Sequence, residues 1–228
     1  MVQALSMGSY GISHMLPPPP GTSHYTILPT KFIDSVSPQE IKFNLPNEFD
    51  GLERIILQAT GNLQRVMAAY FNRPVNVQHV KNVELPATPR SEGKDSFDSD
   101  DDNSDDATVV LKRFERQINL FCEEKFLYTA DSVLIVRNQS VLDLIEKQKA
   151  GIAQIFWALQ KLPNFKLHAI GRHGDEAGGS FWRDYTLSVD DLMYCHIREM
   201  FPADVFNSSS DDRQMGPCPT GTIWVATD

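Results

Sequence analysis

The stretch RFERQINLFCEEKFLYTADSVLIV, residues 113–136, constrains the fold of this chain more than any other. Two runs rich in apolar, aromatic and β-branched residues flank a polar Glu123-Glu124 turn, which is the pattern of a β-hairpin. Successive side chains of a strand point to opposite faces. Phe114, Arg116, Ile118, Leu120 and Cys122 therefore share one face, and Arg113, Glu115, Gln117 and Asn119 share the other. The second face suits water, which leaves Arg116 on the face that should be buried. A second predicted hairpin, FWRDYTLSVDDLMYCHIREMF over residues 181–201 with its turn near Ser188 to Asp191, repeats the anomaly twice. Glu199 lines up with Met193, Cys195, Ile197 and Phe201, and Arg183 lines up with Phe181, Tyr185 and Leu187.

A buried charge without a partner costs several kcal/mol, so each of these groups needs one. Three arrangements compete on residue types alone. Arg116 and Glu199 pair with each other. Or they pair elsewhere: a two-residue turn at Glu123-Glu124 sets Asp131 directly across the hairpin from Arg116. Or they line a pocket, where Arg116 holds an anionic ligand and Glu199 serves as an acid or hydrogen-bond partner.

The remaining elements suit an α+β domain. GLERIILQATGNLQRVMAAYFN, residues 51–72, has helical apolar spacing interrupted by Thr60-Gly61-Asn62, with Asn62 as an N-cap. VNVQHVKNVEL alternates as a strand carrying Val75, Val77, His79, Lys81 and Val83 on one side. SVLDLIEKQKAGIAQIFWALQKL, residues 140–162, reads as helix, with Gly151 the point where it divides in two. FKLHAIGR reads as a strand and HGDEAGGS as a mobile loop. The expected fold is an antiparallel sheet of about six strands with helices packed on one side, in a single domain over residues 31–206.

Three segments stand outside that domain. Residues 1–30 form a Pro-rich arm, predicted to be disordered, in which LPPPP suits polyproline II and a protein partner. Residues 87–107 contain SEGKDSFDSDDDNSDD, an acidic insertion too charged to join a core. Residues 207–228 read as an irregular tail apart from a short strand at TIWVA.

The 228 residues carry a net charge of −9, much of it in the acidic insertion. Such a surface repels nucleic acid and anionic lipid, and neither a basic stripe nor zinc-finger spacing offsets it. No apolar run reaches the roughly 18 residues that span a membrane, and the first 30 residues contain no Lys or Arg. With three sparse cysteines, this predicts a cytoplasmic protein. His79, His168, His173 and His196 lack metal-ligand spacing, and no phosphate loop or nucleophile elbow is present, so no metal or cofactor is expected. Cys122 and Cys195, and also Trp157 and Trp182, read as packing.

The order of these elements resembles the chorismate lyase/UTRA-like superfamily. Three segments carry the resemblance: LQATGNLQRVMAAYFNRPVNVQHVKNVEL, the 113–136 hairpin with VLDLIEKQKAGIAQIFWAL after it, and FWRDYTLSVDDLMYCHIREMFP, ending in Glu, an aromatic and Pro. They cover about residues 45–85 and 109–206. The resemblance implies a buried pocket in which one Arg of the central hairpin and one Glu of the last strand grip an aromatic acid. Those positions fall on Arg116 and Glu199. The lyases carry a second Arg on the strand opposite, and its position matches Asp131.

The function implied is a cofactor-independent lyase acting on an aromatic or cyclic carboxylic acid, such as chorismate giving 4-hydroxybenzoate and pyruvate. The alternatives are a secondary-metabolite tailoring enzyme performing an elimination or pericyclic closure, and a non-catalytic UTRA-like ligand-binding module. Arg183 is a candidate second pocket cation. Backbone N–H groups at Gly61, Asn62 and the Gly151 helix start would complete a carboxylate site. HGDEAGGS would be the lid.

Overall fold

The computed structural model describes residues 24–32, 34–86, 110–174, 179–203, 205–206 and 220–227. In chain order the elements are β1 (His24–Thr30), β2 (Asp34–Val36), β3 (Ile41–Phe43), α1 (Gly51–Gln58), α2 (Leu63–Phe71), β4 (Val75–Leu85), β5 (Lys112–Cys122), β6 (Lys125–Val136), α3 (Gln139–Glu146), α4 (Ile152–Leu159), β7 (Asn164–His173), β8 (Phe181–Val189), β9 (Met193–Phe201) and β10 (Thr220–Ala226). The fold is α+β. Eight strands form one sheet in the order β1-β10-β7-β8-β9-β6-β5-β4, and β2 pairs with β3 separately. Neighbours in the large sheet are antiparallel except β1 and β10, which run parallel.

The sheet is wider than the six strands expected, because β1 and β10 come from the segments assigned to the arm and the tail. Their sequences, HYTILPT and TGTIWVA, are short and contain Pro or Gly, so their strand signal is weak. Pairing supplies what propensity lacks: Ile27 lies beside Ile223 and Leu28 beside Trp224. Pro29 is tolerated because β1 is an edge strand. The acidic insertion, the Pro-rich run and residues 175–178 of the expected lid loop lie outside the described residues. No described helix is long and apolar enough to cross a membrane.

The helices stop and start where local chemistry dictates. α1 opens with a capping box, in which Glu53 N–H donates to Asp50 Oδ1 at 2.9 Å and Asp50 N–H donates to Glu53 Oε2 at 2.8 Å. α2 ends at Asn72 in the left-handed region (φ 51°), a conformation that Asn tolerates. Asn138 caps α3 by accepting from the Ser140 and Val141 N–H groups. The 140–162 helical run divides at Gly151 into α3 and α4.

The four helices cover one face of the sheet. The main core joins Ile56, Leu63, Met67, Val141 and Phe156 to strand residues such as Leu120, Leu134, Leu187, Cys195 and Phe201. The opposite face has its own buried cluster, built on Tyr25, Ala169, Trp182, Met200 and Ile223, with no helix residue in it. Gly171 is required there. A Cβ at that position would come within 2.3 Å of the Trp182 indole.

That helix-free face is not simply polar and wet. Arg198 donates from Nε to Asp184 Oδ1 at 2.6 Å and from Nη2 to Asp184 Oδ2 at 2.5 Å, with both side chains buried. Beside the pair, the His168 and His196 rings stack with centroids 5.9 Å apart, and His168 Nε2 meets Thr186 Oγ1 at 3.1 Å. Burial, helped by the His196 charge, pulls His168 down to about 4, and burial with Arg198 does the same to His196.

The unfolded chain therefore binds these two protons more readily than the native one. The stability that the neutral rings contribute is complete above pH 6.5 and is lost as the pH falls toward 4. The urea midpoint should fall between pH 7 and pH 5, and fall less in a His168→Asn/His196→Asn variant. Parallel profiles for the two proteins would refute a buried neutral pair.

Candidate functional site

Arg116 sits on β5 facing the helices, buried at 6% exposure. Its cross-strand neighbours are Asn82 on β4 and Ser132 on β6, which form a polar row across the three strands. Its Nη1 is buried and has no hydrogen-bond partner, and Arg116 forms no ion pair among the described residues. Burial lowers its pKa, opposed by the Cys195 thiol. That thiol is itself pushed up to about 12 by burial, so it is neutral and supplies no counter-charge.

Glu199 is also buried on this face, two strands away and one two-residue step along, about 12 Å by ordinary strand spacing. It does not pair with Arg116. Arg183 Nε donates to Glu199 Oε2 at 2.6 Å, and Tyr185 Oη donates to Glu199 Oε1 at 3.0 Å. The register explains it, because β8 places Arg183 directly across from Glu199. Arg183 Nη1 donates in addition to the Leu57 and Ala59 carbonyls at 3.0 and 2.8 Å, filling acceptors left open at the end of α1. Its Nη2 is buried without a partner. Tyr128 lies close enough that burial, then the Glu199 charge, raise its phenol well above the usual range.

Asp131 is a correction. A one-residue irregularity between Leu120 and Phe121 shifts the hairpin register, so that Arg116 faces Ser132 and Asp131 faces Gln117. The carboxylate lies on the helix-free face and accepts from Gln117 Nε2 at 2.7 Å. Its cross-strand neighbour on β9 is Arg198. Asp131 is therefore neither a partner of Arg116 nor part of the same site. A similar bulge between His79 and Lys81 breaks the single face expected along β4.

The glycine positions also separate. Gly61 (φ 75°) and Asn62 line an open cleft of about 800 Å³ between α2 and α4, away from the buried charges. Gly151 does not line that cleft, and its N–H is already given to Gln154 Oε1 at 2.9 Å. Trp182 is buried as expected of packing. Trp157 is not, at 84% exposure. Ser132, Tyr128 and Tyr185 join the buried polar groups without breaking the strand pattern in the way a charge does, although Tyr185 shares a predicted face with Arg183.

One more pair completes the helix side. Arg172 bonds Glu53, both buried, and Arg172 lies over the Phe49 ring, 4.7 Å from its centroid. Among the described residues the buried charged groups on this side are thus Arg116, Arg172 and Arg183 against Glu53 and Glu199. No described group of three or more His, Cys, Asp or Glu is placed to hold a metal ion.

No family model matches the chain, and no curated protein matches it. Among solved structures, one that overlaps it is the crystal structure of a possible transcriptional regulator, YydK, from Bacillus subtilis subsp. subtilis str. 168. The overlap has a TM-score of 0.35 at 10% identity and spans 71% of this chain and 66% of that one.

The two arginines should respond oppositely to removal. Arg183→Met strands Glu199 and the α1 carbonyls, and should cost about 3–5 kcal/mol in denaturant unfolding. Arg116→Met removes a buried charge that has no partner, and should change stability by less than about 1 kcal/mol or increase it. A large loss for Arg116→Met would make Arg116 structural.

Proposed function

We propose that this chain binds a small organic acid between the sheet and the helices, with Arg116 as the carboxylate anchor. The observation that supports this most is the surplus of one buried arginine over the buried carboxylates on the helix side, with Arg116 the member that lacks an ion-pair partner. A buried cation is tolerated when a ligand supplies the counter-charge, and a guanidinium matches a carboxylate through two parallel hydrogen bonds. Glu199 is held by Arg183 and Tyr185 rather than left free. Its role is then to fix a polar wall opposite Arg116 and to accept a hydrogen bond from a ligand hydroxyl.

The resemblance of the two hairpins to the chorismate lyase/UTRA-like superfamily points to an aromatic or cyclic acid. The reaction that fits is elimination from chorismate. The ether C–O bond breaks, the ring loses a hydrogen and becomes aromatic, and the enolpyruvyl methylene gains a proton. The products are 4-hydroxybenzoate and pyruvate. The chain's residues would hold the substrate in a reactive pose and stabilise the shifting charge. Placing Asp131 on the other face removes the anion that would have opposed a dicarboxylate beside Arg116.

A second reading has its own support. Glu199 is engaged on both oxygens, which suits a binding module better than a proton donor. A tailoring enzyme that needs shape and hydrogen bonds more than acid catalysis is compatible with the same wall.

The test is to mix the purified chain with chorismate and follow pyruvate and 4-hydroxybenzoate, and to titrate 4-hydroxybenzoate by calorimetry. Turnover that falls at least about 100-fold in Arg116→Met establishes the lyase. Binding of 4-hydroxybenzoate without turnover, lost in Arg116→Met, establishes a ligand-binding module. Neither turnover nor binding by the folded protein overturns the organic-acid reading for this class of ligand.

A further inference from the structure

The cleft between α2 and α4 is lined by none of the buried arginines and is built differently. α4 has the sequence IAQIFWAL, with no charged residue, and is apolar on both sides. Ile155 and Phe156 fill the core, while Ala153, Trp157 and Ala158 face outward along the cleft. Leu162, just beyond the helix, is 96% exposed. A helix that is hydrophobic all round is normally covered on every side, and a tryptophan left in water next to a leucine marks a contact site.

The cleft's charges are of one sign. Its lining includes Arg65 and Lys161 and not one Asp or Glu, in a chain whose net charge is −9. Lys161 meets the exposed Asp190 at 2.5 Å; Arg65, on the exposed side of α2, has no ion pair among the described residues. α2 adds to the same sign, because it begins at the cleft with no side-chain cap and no acidic residue in its first turn.

From the apolar floor, the exposed Trp157 and the two cations of the lining, of which Arg65 has no ion pair among the described residues, we infer that this cleft docks an acidic amphipathic segment of a partner protein. One apolar side chain would enter the floor over Phe156, and flanking carboxylates would meet Arg65 and Lys161. The chain's own LPPPP run is the wrong occupant. That run is uncharged and ends four residues before β1, whose start lies by register at the His173 end of β7, whereas the cleft includes Pro163 at the other end. Ten strand residues span about 33 Å, beyond the roughly 28 Å that eight extended residues from Leu16 to His24 can reach.

The experiment is selection of a phage-displayed library of random dodecapeptides on the intact protein. The selected peptides are then titrated by fluorescence anisotropy against wild type, Trp157→Ala and Arg65→Glu. Both side chains are exposed, so the variants should fold. The expected consensus is an aromatic or leucine anchor flanked by Asp or Glu, with affinity falling at least tenfold in each variant. Replacing the peptide's carboxylates by lysines should reverse its preference between wild type and Arg65→Glu. No enrichment, a basic or proline-rich consensus, or affinities unchanged in the variants would overturn the inference. So would self-association by sedimentation that Trp157→Ala abolishes, which assigns the face to a second copy.

Discussion

The Arg183 side chain is the point through which the sheet and the helical layer depend on each other. It is fully buried and reaches in two directions, to the Glu199 carboxylate on the neighbouring strand and to the last carbonyls of α1. The carbonyls at a helix end must find donors when they are buried. Here a guanidinium anchored in the middle of the sheet provides them, and in doing so fixes where α1 stops and the Thr60-Gly61-Asn62 turn begins. The position of α2, and so one wall of the external cleft, follows from that. Arg183 is also stacked on the Tyr185 ring, 4.4 Å from its centroid, which leaves it little freedom to reach a ligand.

The three buried arginines of the helix side therefore do different work. Arg172 and Arg183 each sit beside a carboxylate and each bind a backbone carbonyl, Gly179 in one case and the end of α1 in the other. They act as ties between elements. Arg116 ties nothing. The helix-free face gives a measure of what a satisfied arginine looks like in this protein: Arg198 meets both oxygens of Asp184 and lies over the Trp182 ring. Against that standard Arg116 is the exception among the buried arginines, with neither a carboxylate nor a carbonyl beside it among the described residues.

Which side chains of β5, β8 and β9 share a face was legible in the sequence, because strand periodicity is a local property, whereas the bulge in β4 was not. The alignment of Arg116 with Leu120 and Cys122, and of Glu199 with Cys195 and Ile197, needed nothing beyond counting by twos. Which of them meet was not legible. Arg183 and Glu199 are partners through the β8–β9 register, and Asp131 missed Arg116 through a single irregular residue near the hairpin turn. A one-residue slip moves a side chain to the other face, and no local signal in LFCEEKF announces it. β1 escaped for a related reason, and β10 was legible only as the short strand at TIWVA, since their place in the sheet comes from pairing with each other across nearly two hundred residues of sequence. Trp157 was misjudged because a tryptophan on an apolar helix is ordinarily core, and helical periodicity does not say which of two apolar sides lacks a neighbour.

If Arg116 anchors a carboxylate as proposed, the charge count limits what can bind beside it. One carboxylate beside Arg116 brings the helix side to neutrality, whereas a dicarboxylate would leave a net negative charge in a layer of low polarity. Such a ligand becomes acceptable if its second carboxylate reaches a donor, and the unfilled Nη2 of Arg183 is one. Without that donor, a dianion that lost one carboxylate with its leaving group would bind more tightly as product than as substrate. On the proposed reading, discrimination between mono- and dianions beside Arg116 thus rests on whether Arg183, held by Glu199, Tyr185 and α1, can turn its free nitrogen toward a ligand without giving up the contacts that hold the fold together.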